Sequence, residues 1–348
     1  MAEKPIIICT RGSALALAQS NLIAAQCRAA FPRLGFELKI IKTTGDKLQK
    51  ASLAKVEGGL PKGLFTKELE TALLQGHADL AVHSLKDLPT DLPAGLVLAA
   101  TPKREDVRDV LIYRSAEYFT PDAPARHSLG AEGSRGTPGR SSGLTALRGF
   151  KPHAKLEDFP RGATVATSST RRKMSLLAVR PDLQIVEIRG NVATRMLKVA
   201  ERGEVDATIL ALAGMTRLNF KINSDGTISG EAVPGGLLAT LLDLDEMLPC
   251  VGQGAIGLEI RADDERLAKI CGRLNHLTTF HAVTAERAFL RGMGGGCQSP
   301  VGAYAEISGD KISLQAISFR DEQVKRASGK RQITEAALLG EQLAEELK

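Results

Sequence analysis

Short apolar runs and helix-periodic stretches alternate along most of the chain, which predicts an α/β protein. Residues 6–9 form an apolar run of strand length, and Leu15, Ala18, Leu22, Ala25 and Ala29 then recur at the spacing of one helix face. A second strand is expected at 36–42 and a helix at about 65–74. The runs at 79–82, 96–101, 110–113, 163–166, 185–188, 207–211 and 255–260 are compact and apolar, as in strands covered on both faces of a sheet. Beyond them, 274–290 reads as a helix, 301–307 and 312–319 as strands, and 335–347 as a closing helix.

The pattern repeats. A strand followed by Thr10-Arg11-Gly12-Ser13 and a helix is echoed by a strand followed by Thr167-Ser168-Ser169-Thr170-Arg171-Arg172 and a helix. Gly76-His77-Ala78-Asp79 enters one strand, and Gly203-Glu204-Val205-Asp206 enters another. Two similar α/β lobes with a cleft between them are expected, with a small α/β domain at the C-terminus. The expected division is 1–106 with 254–272, then 107–250, then 274–348, with a hinge at 248–254. The stretch 115–160 is rich in Gly, Ser, Pro and Arg with weak periodicity, and is expected to be a mobile insert.

Chemistry gathers at the strand ends, where open α/β sheets bind ligands. Ser84, Lys86 and Asp87 fall at such a rim. A carboxylate there can shuttle a proton or stabilise a developing cation, or it can simply pair with Lys86. Ser13 stands at a helix N-cap beside Arg11, an arrangement suited to an anion and also to ordinary capping. Arg171, Arg172, Arg189, Arg195 and Arg217 all follow strand ends of the second lobe. A guanidinium fork matches a carboxylate, so a ligand with several carboxylates accounts for the group. Lys62, between glycines, reads as a cationic loop near a ligand or as a solvated hinge. Gly294-Gly295-Gly296-Cys297 offers a thiol on a backbone with almost no bulk, where a large group could sit or be attached. The plain alternative is an incidental buried cysteine.

Composition narrows the classes. The net charge is +6 and the pI near 9.1, but with 4% aromatic residues and no Trp there is little for bases to stack on. Nucleic-acid binding is therefore not expected. The five cysteines are scattered, without CxxC or metal-ligand spacing, so no metal and a reducing cytoplasmic setting are expected. Residues 1–5 lead directly into the first strand, with neither a secretory apolar region nor a transit-like segment, and no run is long enough to span a membrane.

Taken in order, Thr10-Arg11-Gly12-Ser13, His83-Ser84-Leu85-Lys86-Asp87-Leu88-Pro89, Thr167 to Arg172, Arg189-Gly190-Asn191, Val251-Gly252-Gln253-Gly254 and Gly294-Gly295-Gly296-Cys297-Gln298 make the chain resemble the porphobilinogen deaminase (hydroxymethylbilane synthase) family. The resemblance implies two periplasmic-binding-protein-like α/β lobes and a small third domain. It implies a transferase that joins four porphobilinogen molecules head to tail, releases ammonia at each step and hydrolyses off hydroxymethylbilane. It implies a dipyrromethane cofactor held by a thioether to Cys297.

By the same resemblance Asp87, Arg11 and Lys86 carry catalysis. Asp87 would stabilise the azafulvenium cation. Ser13, Lys86, Asp87, Ser169, Arg171, Arg172, Arg189 and Arg195 would bind the cofactor, and Arg11, Lys62, Arg189, Arg195, Arg217 and Gln253 the substrate. A cytoplasmic monomer is implied, with porphobilinogen as its partner. The chain departs from the family pattern in the long 115–160 stretch, in extra residues before Lys62 that include Pro61, and at Thr170 and Ser299. The competing reading is a non-catalytic two-lobed binding protein for a carboxylated small molecule, which leaves Asp87 and the Cys297 loop without a task.

Overall fold

A computed structural model describes residues 4–48, 63–118, 147–296 and 299–348. The first lobe begins with β1 (Ile6–Thr10), α1 (Ala14–Ala30), β2 (Phe36–Ile40), α2 (Thr44–Leu48), α3 (Lys67–Leu74), β3 (Leu80–Ser84) and β4 (Leu96–Ala100). The chain then crosses to a second lobe. That lobe holds β5 (Asp109–Arg114), β6 (Thr164–Ala166), α4 (Thr170–Val179), β7 (Gln184–Val186), α5 (Val192–Glu201), β8 (Ala207–Ala211) and α6 (Leu212–Arg217). A short hairpin, β9 (Lys221–Ile222) and β10 (Ile228–Ser229), leads to β11 (Leu237–Leu241). The chain crosses back to β12 (Ile256–Arg261) and α7 (Glu265–Leu274), and ends with α8 (Leu277–Gly292), β13 (Val301–Ser308), β14 (Lys311–Ser318), β15 (Lys325–Gln332) and α9 (Ala336–Leu347).

The two five-stranded sheets have one plan, β2-β1-β3-β12-β4 in the first and β7-β6-β8-β5-β11 in the second. Each has three parallel strands at one side. In each, the strand arriving from the other lobe, β12 or β5, inserts antiparallel to both its neighbours. Each lobe is thus completed by a strand carried across the hinge.

Both faces of the first sheet are covered, which explains its unalternating apolar runs. Ile8, Val82 and Leu258 pack with Ile23 and Cys27 of α1 and Ile270 of α7. On the other face Cys9 and Ala81 meet Leu69 and Leu73 of α3.

The bases of the lobes match atom for atom. The Ile7 N–H donates to Asp79 Oδ2 at 2.9 Å, and the Asp79 N–H returns to the Ile7 carbonyl at 2.9 Å. In the second lobe Thr164 N–H and Asp206 make the same exchange, at 2.8 and 2.9 Å. Arg261, ending β12, reaches Asp79 at 3.2 Å, and Arg114, ending β5, reaches Asp206 at 3.7 Å. The short echo of a glycine and an aspartate before two strands therefore marks a structural repeat.

In the third domain α8 and α9 pack on one face of the antiparallel β13–β14–β15 sheet through Phe289, Leu314, Leu339 and Leu343. Three expectations are corrected. The helix read at 274–290 is α8, which starts later, at Leu277, behind His276, whose Nδ1 accepts from the Thr279 N–H at 3.3 Å; Leu274 instead ends α7, for which there was no helix reading. The stretch expected to be a mobile insert is too wide. Residues 147–160 are built into the second lobe, where Phe150, Leu156 and Phe159 are buried and Phe150 stacks on Phe159 with ring centroids 4.0 Å apart. Two rings and a leucine spread among charged residues and prolines gave no period to read. Ser115 bridges Phe150 in the same way; residues 119–146 lie outside the described residues. Finally, β11 and β15 had no strand reading. Among the described residues no helix is long and apolar enough to cross a membrane.

Candidate active site

At the open end of the first sheet, β1 runs out into Arg11-Gly12-Ser13. Ser13 caps α1, its Oγ accepting the Ala16 N–H at 3.3 Å. Arg11 bends towards Asp46, with Nη2 2.5 Å from Oδ1, while its guanidinium lies 4.2 Å over the Phe65 ring. The Thr43 hydroxyl donates to Asp46 Oδ2 at 2.8 Å. Burial works against the charge on Asp46, but the bonds from Arg11 and Thr43 outweigh it and hold the carboxyl below its usual range.

Beside this pair β3 ends at Ser84, hydrogen-bonded to the Gln19 amide at 3.0 Å, and a single 3-10 turn, Leu85–Asp87, follows. Arg11, Ser13, Gln19, Phe65, Ser84 and Asp87 surround one cavity of about 70 Å³. At its floor His83 Nε2 lies 2.9 Å from Glu259 Oε2, both buried. Asp87 is half-buried, and among the described residues its carboxylate has no hydrogen bond and no ion pair. The Lys86–Asp87 pairing weighed from sequence is absent.

The corresponding end of the second lobe is cationic. Ser169 caps α4 as Ser13 caps α1, accepting the Arg172 N–H at 3.4 Å. Arg171 and Arg172 are 3% and 7% exposed and share Asp109, each at 2.7 Å. Their remaining bonds go to the carbonyls of Leu248 and Ile209, at 2.7 and 2.9 Å. Burial opposes ionisation of Asp109, and the two guanidiniums overcome it, holding the carboxyl far below its usual range. The Nε of each arginine is buried without an acceptor.

Arg195 Nε donates to the Gly190 carbonyl at 2.9 Å, and Arg217 Nη2 to the Gly254 carbonyl at 2.6 Å. Neither has a carboxylate within ion-pair distance among the described residues, and burial lowers the pKa of each to about 10. Gly190 has φ +116° with Thr194 beneath it, so the turn before α5 accepts no side chain. Arg189 is exposed and pairs only with Glu187, at 3.2 Å. The lobes meet near these residues: a Cβ on Gly214 of α6 would stand 3.8 Å from Leu15 of α1.

Sequence reasoning thus finds Arg11, Ser13 and Asp87 in one cavity, with Lys86 on the same turn. Gln253, expected to bind substrate, is turned inward. It is 1% exposed, and its amide nitrogen is spent on the Val107 carbonyl and Asp109, at 2.7 and 2.8 Å. It braces the hinge. Lys62 and Cys297 lie outside the described residues, although Cys297 follows directly on α8 and its glycines. Among the described residues, and chain neighbours aside, no side chain or backbone lies within 4 Å of where a Cβ would stand on Gly294 or Gly296. Missed from sequence were Gln19, Asp46 and Asp109. The signal for Asp109 was a lone acid opening an otherwise apolar strand.

This geometry defines a two-lobed α/β enzyme class, with an unpaired acid on one lobe and acid-poor guanidiniums on the other. Residues 6–269 match the model of the porphobilinogen deaminase, dipyromethane cofactor binding domain, and residues 280–348 that of the porphobilinogen deaminase C-terminal domain. The porphobilinogen deaminase of Chlorobium chlorochromatii (strain CaD3) is 40% identical over 99% of this chain and 92% of its own. That of Geobacter metallireducens (strain ATCC 53774 / DSM 7210 / GS-15) is 39% identical over 100% and 92%, and that of Desulforudis audaxviator (strain MP104C) is 41% identical over 90% and 84%. The chain belongs to the porphobilinogen deaminase family, transferases of tetrapyrrole biosynthesis.

Proposed function

We propose that the chain joins four porphobilinogen units head to tail on a primer attached to Cys297, releasing ammonia at each addition, and then hydrolyses off hydroxymethylbilane. The observation that carries this reading is Asp87: an unpaired, half-buried carboxylate sharing a cavity with Arg11 and Ser13. The donor set fits a carboxylate-rich dipyrromethane. Arg171, Arg172 and Arg217 each keep a buried Nε–H without an acceptor, and Arg195 lacks an acid partner. When bound, the cofactor supplies a nucleophilic pyrrole carbon at which the product grows.

In this reading Asp87 faces the cation that develops as the aminomethyl nitrogen departs, and takes up the proton released when the ring regains aromaticity. Arg11, steered by Asp46 and Phe65, holds a carboxylate of the incoming unit. Ser13 and Lys86 supply donors on the first lobe. Ser169, Arg171, Arg172, Arg189, Arg195 and Arg217 neutralise acetate and propionate groups from the second. Lys62 is a further substrate-binding residue in this reading. We read the three sheets as three domains, hinged at the two crossings, and the protein as a cytoplasmic monomer, in keeping with free thiols at Cys9, Cys27, Cys250 and Cys271.

The test is an assay of ammonia released from porphobilinogen, run beside the intact mass of the purified chain. Ammonia release with a dipyrromethane-sized adduct that vanishes in Cys297→Ala supports the proposal. An unmodified, inactive chain that binds a carboxylated ligand returns the binding-protein reading.

A further inference from the structure

We propose that Arg287 is a positioning residue for Asp87: from α8 it clamps the backbone that leaves the Asp87 turn. This rests on the role given to Asp87 above. The guanidinium donates from Nη1 to the Leu88 carbonyl at 3.1 Å, and from Nη2 to the carbonyls of Pro89 at 2.6 Å and Thr90 at 3.3 Å. These are the three residues that follow Asp87.

Arg287 is only 7% exposed, and among the described residues it has no carboxylate at ion-pair distance. Burial lowers its pKa to about 10, with the neighbouring Arg291 charge adding to the effect. Burying a cation without a counter-ion is costly, so the carbonyls it satisfies must return a specific geometry. A lysine could not replace it, because an ammonium is a point donor and cannot span successive carbonyls as a planar fork does.

The turn has few other constraints, and they share the same anchor. Leu85 and Leu88 pack against Val283 of α8 and Ala255 of the hinge. Gly252, at φ +72°, lies so close beneath the turn that a Cβ there would be 3.1 Å from Leu85 Cγ and 3.3 Å from Lys86 N. One residue before Arg287, the buried Glu286 grips the hinge. It accepts from Arg104 at 2.6 and 2.9 Å, from the Gly252 N–H at 2.8 Å and from the Ala305 N–H at 3.0 Å. Adjacent residues of one helix therefore hold the hinge and the Asp87 turn at a set distance, and that helix ends in the glycine run before Cys297. Releasing the clamp frees the turn, and a misplacement of about 1 Å costs on the order of 100-fold in rate.

The experiment uses the full chain carrying its cofactor, with Arg287→Lys, Arg291→Gln, Leu339→Ala and Asp87→Asn compared. Arg291 pairs with the exposed Asp91 and donates to the Thr90 carbonyl alone at 3.0 Å, and Leu339 lies in the third-domain core. Arg287→Lys is expected to lower kcat by roughly 100-fold with KM within about 3-fold and the adduct mass retained. Arg291→Gln, which loses one bond at the far end of the clamped segment, should lower kcat by much less than Arg287→Lys, and Leu339→Ala should lower Tm without lowering kcat of the folded protein. If Arg287→Lys keeps kcat within about 3-fold of the parent, or loses it only in step with its folded fraction, the clamp has no positioning role. Inactive Asp87→Asn beside active Arg287→Lys sinks this inference alone. Active Asp87→Asn sinks the reading of Asp87 first.

Discussion

The two lobes are alike where they hold themselves together and unlike where they meet the cleft. At their bases Asp79 and Asp206 close the same pair of backbone bonds, and Arg261 and Arg114 lie on the same strand ends. At their open ends the same strand–turn–helix carries opposite solutions. Arg11 pairs with a partly exposed Asp46 next to an unpaired Asp87, while Arg171 and Arg172 sink onto a buried Asp109. One plan therefore supplies an acid from one side and fixed cations from the other. The base is under a packing constraint in both lobes; the tip is free to differ because loops beyond the strand ends carry little of the core.

The largest test of this contrast is at the buried cationic tip. Asp109→Asn strands two buried guanidiniums and should cost about 3–5 kcal/mol, read from urea unfolding at neutral pH. The Asp109 carboxyl has a depressed folded pKa, so its contribution is complete above the unfolded value of about 4 and is lost progressively as pH falls from there through the folded value. The gap between parent and variant should accordingly narrow in acid. A gap of the same size at pH 7 and pH 2 would mean the aspartate is not the counter-ion.

At the opposite tip Asp87→Asn should leave unfolding nearly unchanged and lower ammonia release by roughly 10²–10³-fold, the scale for losing one charge-stabilising group. Near-parental turnover would remove the functional half of the comparison. At the bases, Asp79→Ala and Asp206→Ala should each cost about 1–3 kcal/mol and by similar amounts, since each orphans the same backbone N–H. Unequal losses would make the likeness of the bases superficial. The smallest effect is expected from replacing 121–144 with a short Gly/Ser linker. The Ala116 N–H already donates to the Phe150 carbonyl at 2.9 Å, so the flanks are tied, and the change should stay under about 1 kcal/mol with activity kept. A large fall in turnover with stability intact would make that segment part of the cleft.

Much of this was legible along the chain. Local patterns revealed the strands whose apolar runs end in Arg11, Asp87, Arg171 and Arg189, because a strand end and a helix cap are written in neighbouring residues. The repeat of the lobes was legible from two short echoes. Less legible were β15, whose Lys325–Gln332 alternates half-buried and exposed small and polar residues, and β11, an apolar run standing alone after a glycine pair. The reading of 115–160 as one insert failed because Phe150, Leu156 and Phe159 are too sparse to show a period.

Local order along the chain was enough for the α/β class, the paired lobes and the acid at the end of β3. The crossings that carry β5 and β12 between the lobes were read in the sequence; three-dimensional packing alone decided that each would insert antiparallel to both its neighbours. It alone brought Asp109 to Arg171 and Arg172, turned Gln253 inward, and set Arg287 on the carbonyls after Asp87. Those contacts join residues 62 to 199 positions apart. No local periodicity encodes a partner at such a separation; it is chosen by which buried charge and which carbonyl are left unsatisfied once the sheets have closed.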